Sequence, residues 1–251
     1  MRPRYQGLIN VVSFNRGYYA LALLLAIALV ALTVYFSGRM QIAVFVGFLL
    51  VVLPVVISLS VSHYVYDRSG LYDLSWLHEV GFPQDPCYMI NLNAGFDESS
   101  LLLEAQFPRA HVEIYDFYNP QRHTEVSIKR ARVACPPHPR SRHISTDSLP
   151  VLSGTVDFVF AFFSLHEIRN ESERQRFFVE LARVLRPGGK IVLVEHLRDF
   201  TNGLAYTIGS FHFLSERTWL KAFEGAELLI QETRKLNPFV TAFILTHDRA
   251  D

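Results

Sequence analysis

The sequence predicts an α/β fold, a Rossmann-like doubly wound sheet of seven strands, preceded by a transmembrane helical hairpin. Three observations predict it. Residues 17–38 and 40–66 contain no Asp, Glu, Lys or Arg. From residue 87 onward, apolar runs alternate with amphipathic segments, which is typical of strands and helices around a parallel sheet. Residues 156–163 are almost wholly apolar, as expected for a central parallel strand.

The composition excludes several classes of protein. Half of the 251 residues are apolar and 19% are charged, which excludes disorder over most of the chain. Lys plus Arg and Asp plus Glu each number 24, so the net charge does not favour nucleic acid as a partner. The two cysteines are too few for a disulfide scaffold, which favours a reducing compartment.

The two uncharged stretches predict a membrane anchor over residues 1–66. A helix rises about 1.5 Å per residue, so roughly 20 residues cross the hydrocarbon core. We expect spans near 18–36 and 42–62, with a kink at Pro54 in the second. A signal peptide and a buried core hairpin are the alternatives.

The flanking charges predict the orientation. Arg2, Arg4 and Arg16 precede the first span, whereas the turn carries only Arg39. The positive-inside rule then places the N terminus in the cytoplasm, and two crossings return the chain to that side. The predicted location is the cell membrane, multi-pass, with the catalytic domain cytoplasmic and the bilayer as a partner. The oligomeric state stays open.

Residues 67–86 form the predicted connector to a domain over 87–251. Its apolar residues would form a helix that lies on the bilayer or one that packs on the domain, and the sequence leaves both interpretations open. These residues are Leu71, Leu74, Trp76, Leu77 and Val80. Within the domain, strands are predicted at 87–92, 111–115, 143–146, 156–163, 191–195, 227–236 and 239–246. Helices are predicted at 99–107, 120–134, 171–185 and 216–223.

Four segments carry a resemblance to a known family. They are YMINLNAGFD at 88–97, VEIYD at 112–116, VDFVFAFFSLH at 156–166 and LARVLRPGGKIVLVE at 181–195. Over roughly residues 86–246 the chain resembles class I S-adenosylmethionine-dependent methyltransferases, in the group that includes small-molecule and quinone methylators. The fourth segment is the most specific. The resemblance implies an enzyme with S-adenosylmethionine as its cofactor.

The resemblance also implies a cofactor site. Gly95 matches a glycine of the family's turn, while Asn91 and Asn93 stand where the family has an acid and a glycine. Asp116, at the end of the second strand, would accept both ribose hydroxyls. The cofactor-binding residues expected are Asn91, Asn93, Gly95, Asp116, Phe117, Ser145, Thr146 and Phe162.

Methyl transfer needs alignment of the nucleophile with the methyl group and sometimes a base. His166 and Glu167 follow the fourth strand, and Glu195 and His196 end the fifth, where open α/β sheets bind ligands. His166 is the best candidate base, because its unperturbed pKa is near neutrality. Alternatively, Glu195 pairs with Arg198 and His166 only packs or caps a helix.

The connection 200–213 is long and aromatic, which indicates a lid or a lipophilic substrate wall. Its predicted substrate contacts are Phe211, His212 and Phe213, and docking of the loop on the bilayer is the alternative. A basic cluster would contact anionic lipid or form a solvated helix face: Arg122, Lys129, Arg130, Arg132, Arg140 and Arg142. The ten histidines are scattered, so no metal site is predicted.

The predicted function is methyl transfer at the cytoplasmic face to a lipophilic acceptor: a quinone-type ring, an isoprenoid or a lipid headgroup. A catalytically inactive scaffold of the same fold at the membrane is the first alternative, favoured by Asn91, Asn93 and Asp97. A nicotinamide-dependent oxidoreductase is the second. Asp97 argues against it, because an acid at that turn would repel a pyrophosphate.

Overall fold

The computed structural model describes residues 3–81 and 87–247, so the ends of the predicted anchor, connector and domain at 1–2, 82–86 and 248–251 lie outside the described residues. Two long apolar helices, α2 (Arg16–Tyr35) and α3 (Gly38–His63), follow a short helix α1 (Gln6–Phe14). By length and composition, α2 and α3 could each cross a membrane.

The surface of α2 and α3 is apolar. The side chains of Leu21 and Val34 are 66% and 83% exposed. Apolar surfaces of this size on a protein usually mark a site of interaction with another protein or with a membrane. The two helices lie close to the predicted spans, and α3 continues through Pro54. Only residues 36–37 separate them, a shorter turn than predicted.

Helix α1 was not predicted, and it ties the N terminus to the end of the hairpin. The backbone N–H groups of Gly7 and Leu8 donate to the carboxylate of Asp67 at 2.7 and 3.0 Å. A carboxylate satisfies the free N–H groups at a helix N terminus and interacts favourably with the helix dipole. Both ends of the helical hairpin therefore lie on the same side as the domain that follows.

The connector packs on the domain. It forms a π-helical turn (Tyr64–Arg68) and two 3-10 turns (Leu71–Asp73 and Ser75–Val80) in place of one helix. Its apolar side chains are buried against one face of the sheet, beside Met89 and Phe160: Leu71, Leu74, Leu77 and Val80. Of the two readings of the connector, the structure therefore supports packing on the domain.

The predicted seven-stranded sheet is confirmed. Its strands lie in the order β3-β2-β1-β4-β5-β7-β6, in which β1 to β5 run parallel and β7 runs antiparallel to both neighbours. The strands are β1 (Tyr88–Asn93), β2 (His111–Asp116), β3 (Arg142–His143), β4 (Val156–Phe162), β5 (Leu185–His196), β6 (Leu229–Asn237) and β7 (Val240–Thr246).

Five further helices flank the sheet: α4 (Ser100–Gln106), α5 (Val126–Ala134), α6 (Glu171–Val184), α7 (Phe200–Tyr206) and α8 (Glu216–Glu224). Helix α5 begins later than predicted, because residues 117–125 form turns after β2. Strand β5 begins at Leu185, before the Pro-Gly-Gly segment, and its pairing with β4 shifts register there. Helix α7 was not predicted.

The strand order indicates where on the sheet a ligand would bind. The chain turns outward in opposite directions from β1 and β4, which are neighbours. The carboxyl ends of β1, β2, β4 and β5 meet at one edge of the sheet. Ligands of doubly wound sheets bind in the crevice at such a switch point.

Candidate active site

A cavity of about 540 Å³ lies at the carboxyl edge of the sheet. Asn93 of β1, Phe162 of β4 and His196 of β5 line its inner wall. The opposite walls come from the N-terminal helices, the end of α7 and the loop after it, through Phe14, Tyr18, Tyr19, Ser58, Ser62, Tyr206 and Phe213. The cavity thus joins the domain to α2 and α3.

The turn after β1 has the geometry of a ligand loop. The side chain of Asn93 accepts the N–H of Gly95 at 2.7 Å, and Gly95 has a φ of +88°, which glycine adopts without strain. The Nδ2 of Asn93 is buried, has no partner among the described residues and belongs to a residue that lines the cavity. It is a free donor for an oxygen of the implied cofactor.

Asn91 does not line the cavity, and its side chain connects two elements of the fold. Its Nδ2 donates to the hydroxyls of Ser99 and Ser100 at 2.9 and 2.7 Å. Asp97 accepts the backbone N–H groups of the same two serines, both at 3.0 Å, and so caps the start of α4. Asn91 therefore fastens β1 to α4, and its predicted contact with the cofactor would require this network to open.

Asp116 is buried at the end of β2 and already has partners. One carboxylate oxygen accepts the N–H of Tyr118 at 2.9 Å, and the other pairs with Arg132 at 2.6 Å. The guanidinium of Arg132 lies 4.3 Å from the centre of the Tyr118 ring and occupies the position that a Cβ on Gly95 would take. It fills the space between Gly95 and Asp116.

Of three residues expected to hold the implied cofactor, Asn93 lines the cavity, whereas Gly95 and Asp116 lie behind the guanidinium of Arg132, which would have to move before the cofactor could reach them. The side chain of Arg132 is 30% exposed, and its flexible head can swing outward from α5. With Arg132 turned away, we expect Asn93 and Gly95 to face the methionine part of S-adenosylmethionine and Asp116 to face the ribose. The roles of these residues stay predictions.

Several predicted cofactor residues lie outside the cavity wall. Phe117 is buried against Phe177, the hydroxyl of Thr146 donates to Glu173 at 2.6 Å, and Ser145 is exposed. Phe162 is the predicted aromatic residue that does line the cavity. The structure therefore does not bring the expected adenine contacts, Ser145 and Thr146, to the cavity.

His166 and Glu195 form a buried ion pair. The Nδ1 of His166 lies 2.7 Å from Glu195, which also accepts the backbone N–H of His166 at 3.2 Å. Burial lowers the pKa of His166, but the carboxylates of Glu195 and Glu167 outweigh it and raise that pKa to about 10. A protonated imidazole cannot accept a proton, so the pKa argument for His166 as the base does not hold here. Glu195 pairs with His166, and the alternative pairing with Arg198 is wrong.

Glu167 and His212 complete a cluster with His166 at the cavity wall. The Oε1 of Glu167 lies 3.5 Å from the Nε2 of His166 and 3.7 Å from the Nε2 of His212. The Oε2 of Glu167 is buried and has no hydrogen-bond partner among the described residues. Burial raises the pKa of Glu167, but the interactions with His166 lower it below its ordinary value, so the group is a carboxylate. All three residues line the cavity.

His196 is a neutral part of the wall. Burial lowers its pKa to about 4. Its Nδ1 donates to the carbonyl of Phe239 at 2.9 Å, and its Nε2 accepts the hydroxyl of Tyr66 at 2.8 Å. The ring stacks between Phe163 and Phe213, with centroid distances of 5.1 and 4.7 Å. Both ring nitrogens are engaged, so His196 has no free nitrogen for a base.

The pKa of His196 predicts a pH-dependent stability. The unfolded chain binds a proton on this residue below about pH 6.5, whereas the folded chain excludes it until about pH 4. Stability therefore falls as pH drops through this window, by about 2 kcal/mol between pH 7 and pH 5. Urea unfolding of the full chain in detergent should show this loss for the natural protein beyond that for His196→Gln. Equal pH dependence in both proteins would contradict it.

The backbone conformation of Phe163, which also lines the cavity, could not be predicted from the sequence. Phe163 has a φ of +47°, a strained conformation for a phenylalanine, and its ring faces Tyr66. Strain of this kind collects at functional sites, but no sequence pattern signals it. Of the predicted substrate contacts, His212 and Phe213 line the cavity, whereas Phe211 is 70% exposed and does not.

Three arginines of the basic cluster form ion pairs or hydrogen bonds within the chain. Arg122 pairs with Asp147 and Glu173, Arg132 with Asp116, and Arg130 donates to the carbonyl of Phe14 at 2.9 Å. These arginines hold the loops together around the site. Contact of the cluster with anionic lipid stays a prediction.

Comparisons with known proteins agree with this architecture. A family model described as a methyltransferase domain matches residues 103–193, and a comparison with curated proteins finds no match. A SAM dependent methyltransferase from Aquifex aeolicus is similar in structure, with a TM-score of 0.54 and 16% identity over 78% of this chain and 98% of that chain.

A second similar structure is geranyl diphosphate C-methyltransferase from Streptomyces coelicolor A3(2), in complex with Mg²⁺, geranyl diphosphate and S-adenosyl-L-homocysteine. Its TM-score is 0.53, with 15% identity over 76% of this chain and 83% of that chain. These likenesses show the fold, and the matched domain gives the chemistry. The chain therefore carries a methyltransferase domain over residues 103–193, in a fold that it shares with S-adenosylmethionine-dependent methyltransferases.

Proposed function

We propose that the chain is a membrane-anchored methyltransferase that acts at the cytoplasmic face on a lipophilic acceptor. The shape of the cavity carries this proposal. It extends from Asn93, at the carboxyl edge of β1, to Tyr18 and Tyr19 on α2 and to Ser58 and Ser62 on α3. An acceptor held in the bilayer could therefore reach the site between the two apolar helices.

A second apolar surface supports contact with the bilayer. Four apolar side chains on α7 and the turn after it are exposed: Phe200, Leu204, Ile208 and Phe211. Phe200 and Leu204, four residues apart, share one side of α7, and Ile208 and Phe211 follow in the 3-10 turn (Thr207–His212) after it. Helix α7 packs beside α3, so this apolar side would lie at the interface of the same membrane. Phe211 thus fits the bilayer-docking alternative better than a contact with the substrate.

The position of α1 supports the orientation. Asp67 binds the N terminus of α1, so residues before the first span and the domain after the second lie on one side. The positive-inside rule assigns Arg2, Arg4 and Arg16 to the cytoplasm. The domain would then face the cytoplasmic pool of its cofactor.

Different residues of the cavity wall would bind the cofactor, hold the acceptor and contact its reacting atom. The cofactor supplies a methyl group on a sulfonium, which an acceptor attacks in line. Asn93, Gly95 and Asp116 would hold the cofactor. Aromatic side chains, with Phe163 and Phe213 among them, would exclude water and hold the apolar part of the acceptor. The polar cluster of His166, Glu167 and His212 would face its reacting atom.

The acceptor classes that suit this cavity are a quinone-type ring, an isoprenoid and a lipid headgroup. The relative from Streptomyces coelicolor A3(2), bound to an isoprenoid diphosphate, supports the second class. The full chain, reconstituted in lipid nanodiscs with isotope-labelled S-adenosylmethionine and lipid extracts, should place label in the organic phase.

Blocking the passage from the membrane tests the proposal. Ser58 lines the cavity on α3, so Ser58→Trp should reduce organic-phase label at least about tenfold by filling the passage. The affinity for S-adenosylhomocysteine should change less than about twofold, because the cofactor pocket lies at the sheet. Ser60→Trp, on the exposed side of the same helix, is the matched control. Equal label from both variants would refute the membrane route.

A further inference from the structure

We propose that His166, Glu167 and His212 form a binding site for one divalent transition-metal ion in the wall of the cavity. This site goes beyond the proposed function, which requires no metal. One ligand atom from each of the three residues lies within 4.8 Å of the others. All three residues line the cavity, so an ion among them would face the acceptor.

The distances within the cluster suit coordination. The Nε2 atoms of His166 and His212 lie 3.5 and 3.7 Å from the same carboxylate oxygen of Glu167. Ligands at about 2.0–2.2 Å from a zinc-like ion stand roughly 3–3.5 Å apart. These two pairs need to close by only a few tenths of an ångström, whereas the two histidine ligand atoms, which lie within 4.8 Å of each other, would have to approach by up to about 1.3 Å around an ion.

A second observation points independently to a ligand. Glu167 is only 3% exposed, and its Oε2 has no hydrogen-bond partner among the described residues. A buried carboxylate oxygen without a partner is costly, so such groups in native proteins usually have a ligand, an ion or water. An ion in the cavity would satisfy it.

The surroundings of the two histidines resemble the outer shell of a metal site. Glu195 binds the Nδ1 of His166 at 2.7 Å, an arrangement that orients the ring and leaves Nε2 toward Glu167. His212 has its Nδ1 2.7 Å from Arg169 and 3.7 Å from Glu125. As a ligand through Nε2, His212 would carry its proton on Nδ1, and Glu125 would accept it after Arg169 turns aside.

The charges favour a divalent cation. Three carboxylates, those of Glu125, Glu167 and Glu195, surround the two rings, and the guanidinium of Arg169 pairs with Glu125. An ion bound through Nε2 would displace the second proton of His166; with both histidines then neutral, this group carries a net charge of about −2, which a divalent ion balances. Two imidazoles and one carboxylate favour zinc, manganese or iron over magnesium or calcium, which prefer oxygen ligands. Three protein ligands leave positions open toward the cavity.

Cobalt(II) binding tests the site directly. The full chain, purified in detergent without a polyhistidine tag and stripped with a chelator, should bind one equivalent of Co²⁺ with visible absorption bands. His212→Ala and the isosteric Glu167→Gln should each weaken binding at least about 100-fold, and Glu195→Gln about 10–100-fold. The matched control, His143→Ala, removes an exposed histidine of β3 and should leave affinity unchanged.

Two results would overturn the site. One is the absence of stoichiometric Co²⁺ binding by the natural protein, which would leave the three residues as a hydrogen-bonded ion cluster around a protonated His166. The other is equal affinity in the natural protein, His212→Ala and Glu167→Gln. Neither result depends on methyl transfer, so a failure here is distinct from a failure of the membrane proposal.

Discussion

Glu195→Ala is expected to lower the free energy of unfolding by about 3–5 kcal/mol, because it leaves the charged ring of His166 buried without its main partner. Both groups are buried, and Glu195 accepts two hydrogen bonds from His166. The loss should be visible as a lower urea midpoint of the full chain in detergent. The same change would free the imidazole to rotate and so disturb the cluster with Glu167.

The matched control is Glu224→Ala. Glu224 is exposed near the end of α8, so its removal should change the free energy of unfolding by no more than about 0.5 kcal/mol. A loss below about 1 kcal/mol for Glu195→Ala would show that the pair with His166 is not the buried ion pair described here.

Asp116→Ala is expected to raise the Kd for S-adenosylhomocysteine at least about tenfold. Hydrogen bonds to a charged group contribute about 1.5–3 kcal/mol, and the ribose offers two hydroxyls to this carboxylate. Calorimetric titration of the full chain in detergent measures the change. An unchanged Kd would remove Asp116 from the cofactor site.

Arg132→Met is expected to lower the Kd for S-adenosylhomocysteine in the same titration, the opposite of the effect of Asp116→Ala. In the structure Asp116 is paired with Arg132, so the binding-competent arrangement is only part of the population. Removing the competing guanidinium should lower the Kd several-fold, since the affinity scales with the competent fraction. A Kd raised as far as in Asp116→Ala would mean that Arg132 itself binds the cofactor.

Those parts of the fold that depend on long apolar runs could be predicted from the sequence. Strand β4 is fully buried and nearly all apolar, and the spans α2 and α3 are long and uncharged. Helix α1 could not be found, because its nine residues merge with the pattern of the first span and its position depends on Asp67, far along the chain. The start of β5 was missed because Pro-Gly-Gly normally ends regular structure.

The candidate site was predictable only in part, because sequence places residues at strand ends without choosing their partners. The location of His166, Glu167 and His196 at the cavity follows from the strand order. The pairing of Asp116 with Arg132 depends on how α5 packs across the turn. The meeting of His212 with Glu167 depends on the path of the loop after α7.

The most direct measurement is the titration of the unmodified full chain, in detergent, with S-adenosylhomocysteine and separately with NADH. If Asn93, Gly95 and Asp116 bind the sulfur-linked adenosine, S-adenosylhomocysteine gives saturable heat with a micromolar Kd and NADH gives none. A well-folded protein that stays silent toward the first at millimolar concentration, or that binds NADH instead, would contradict the account.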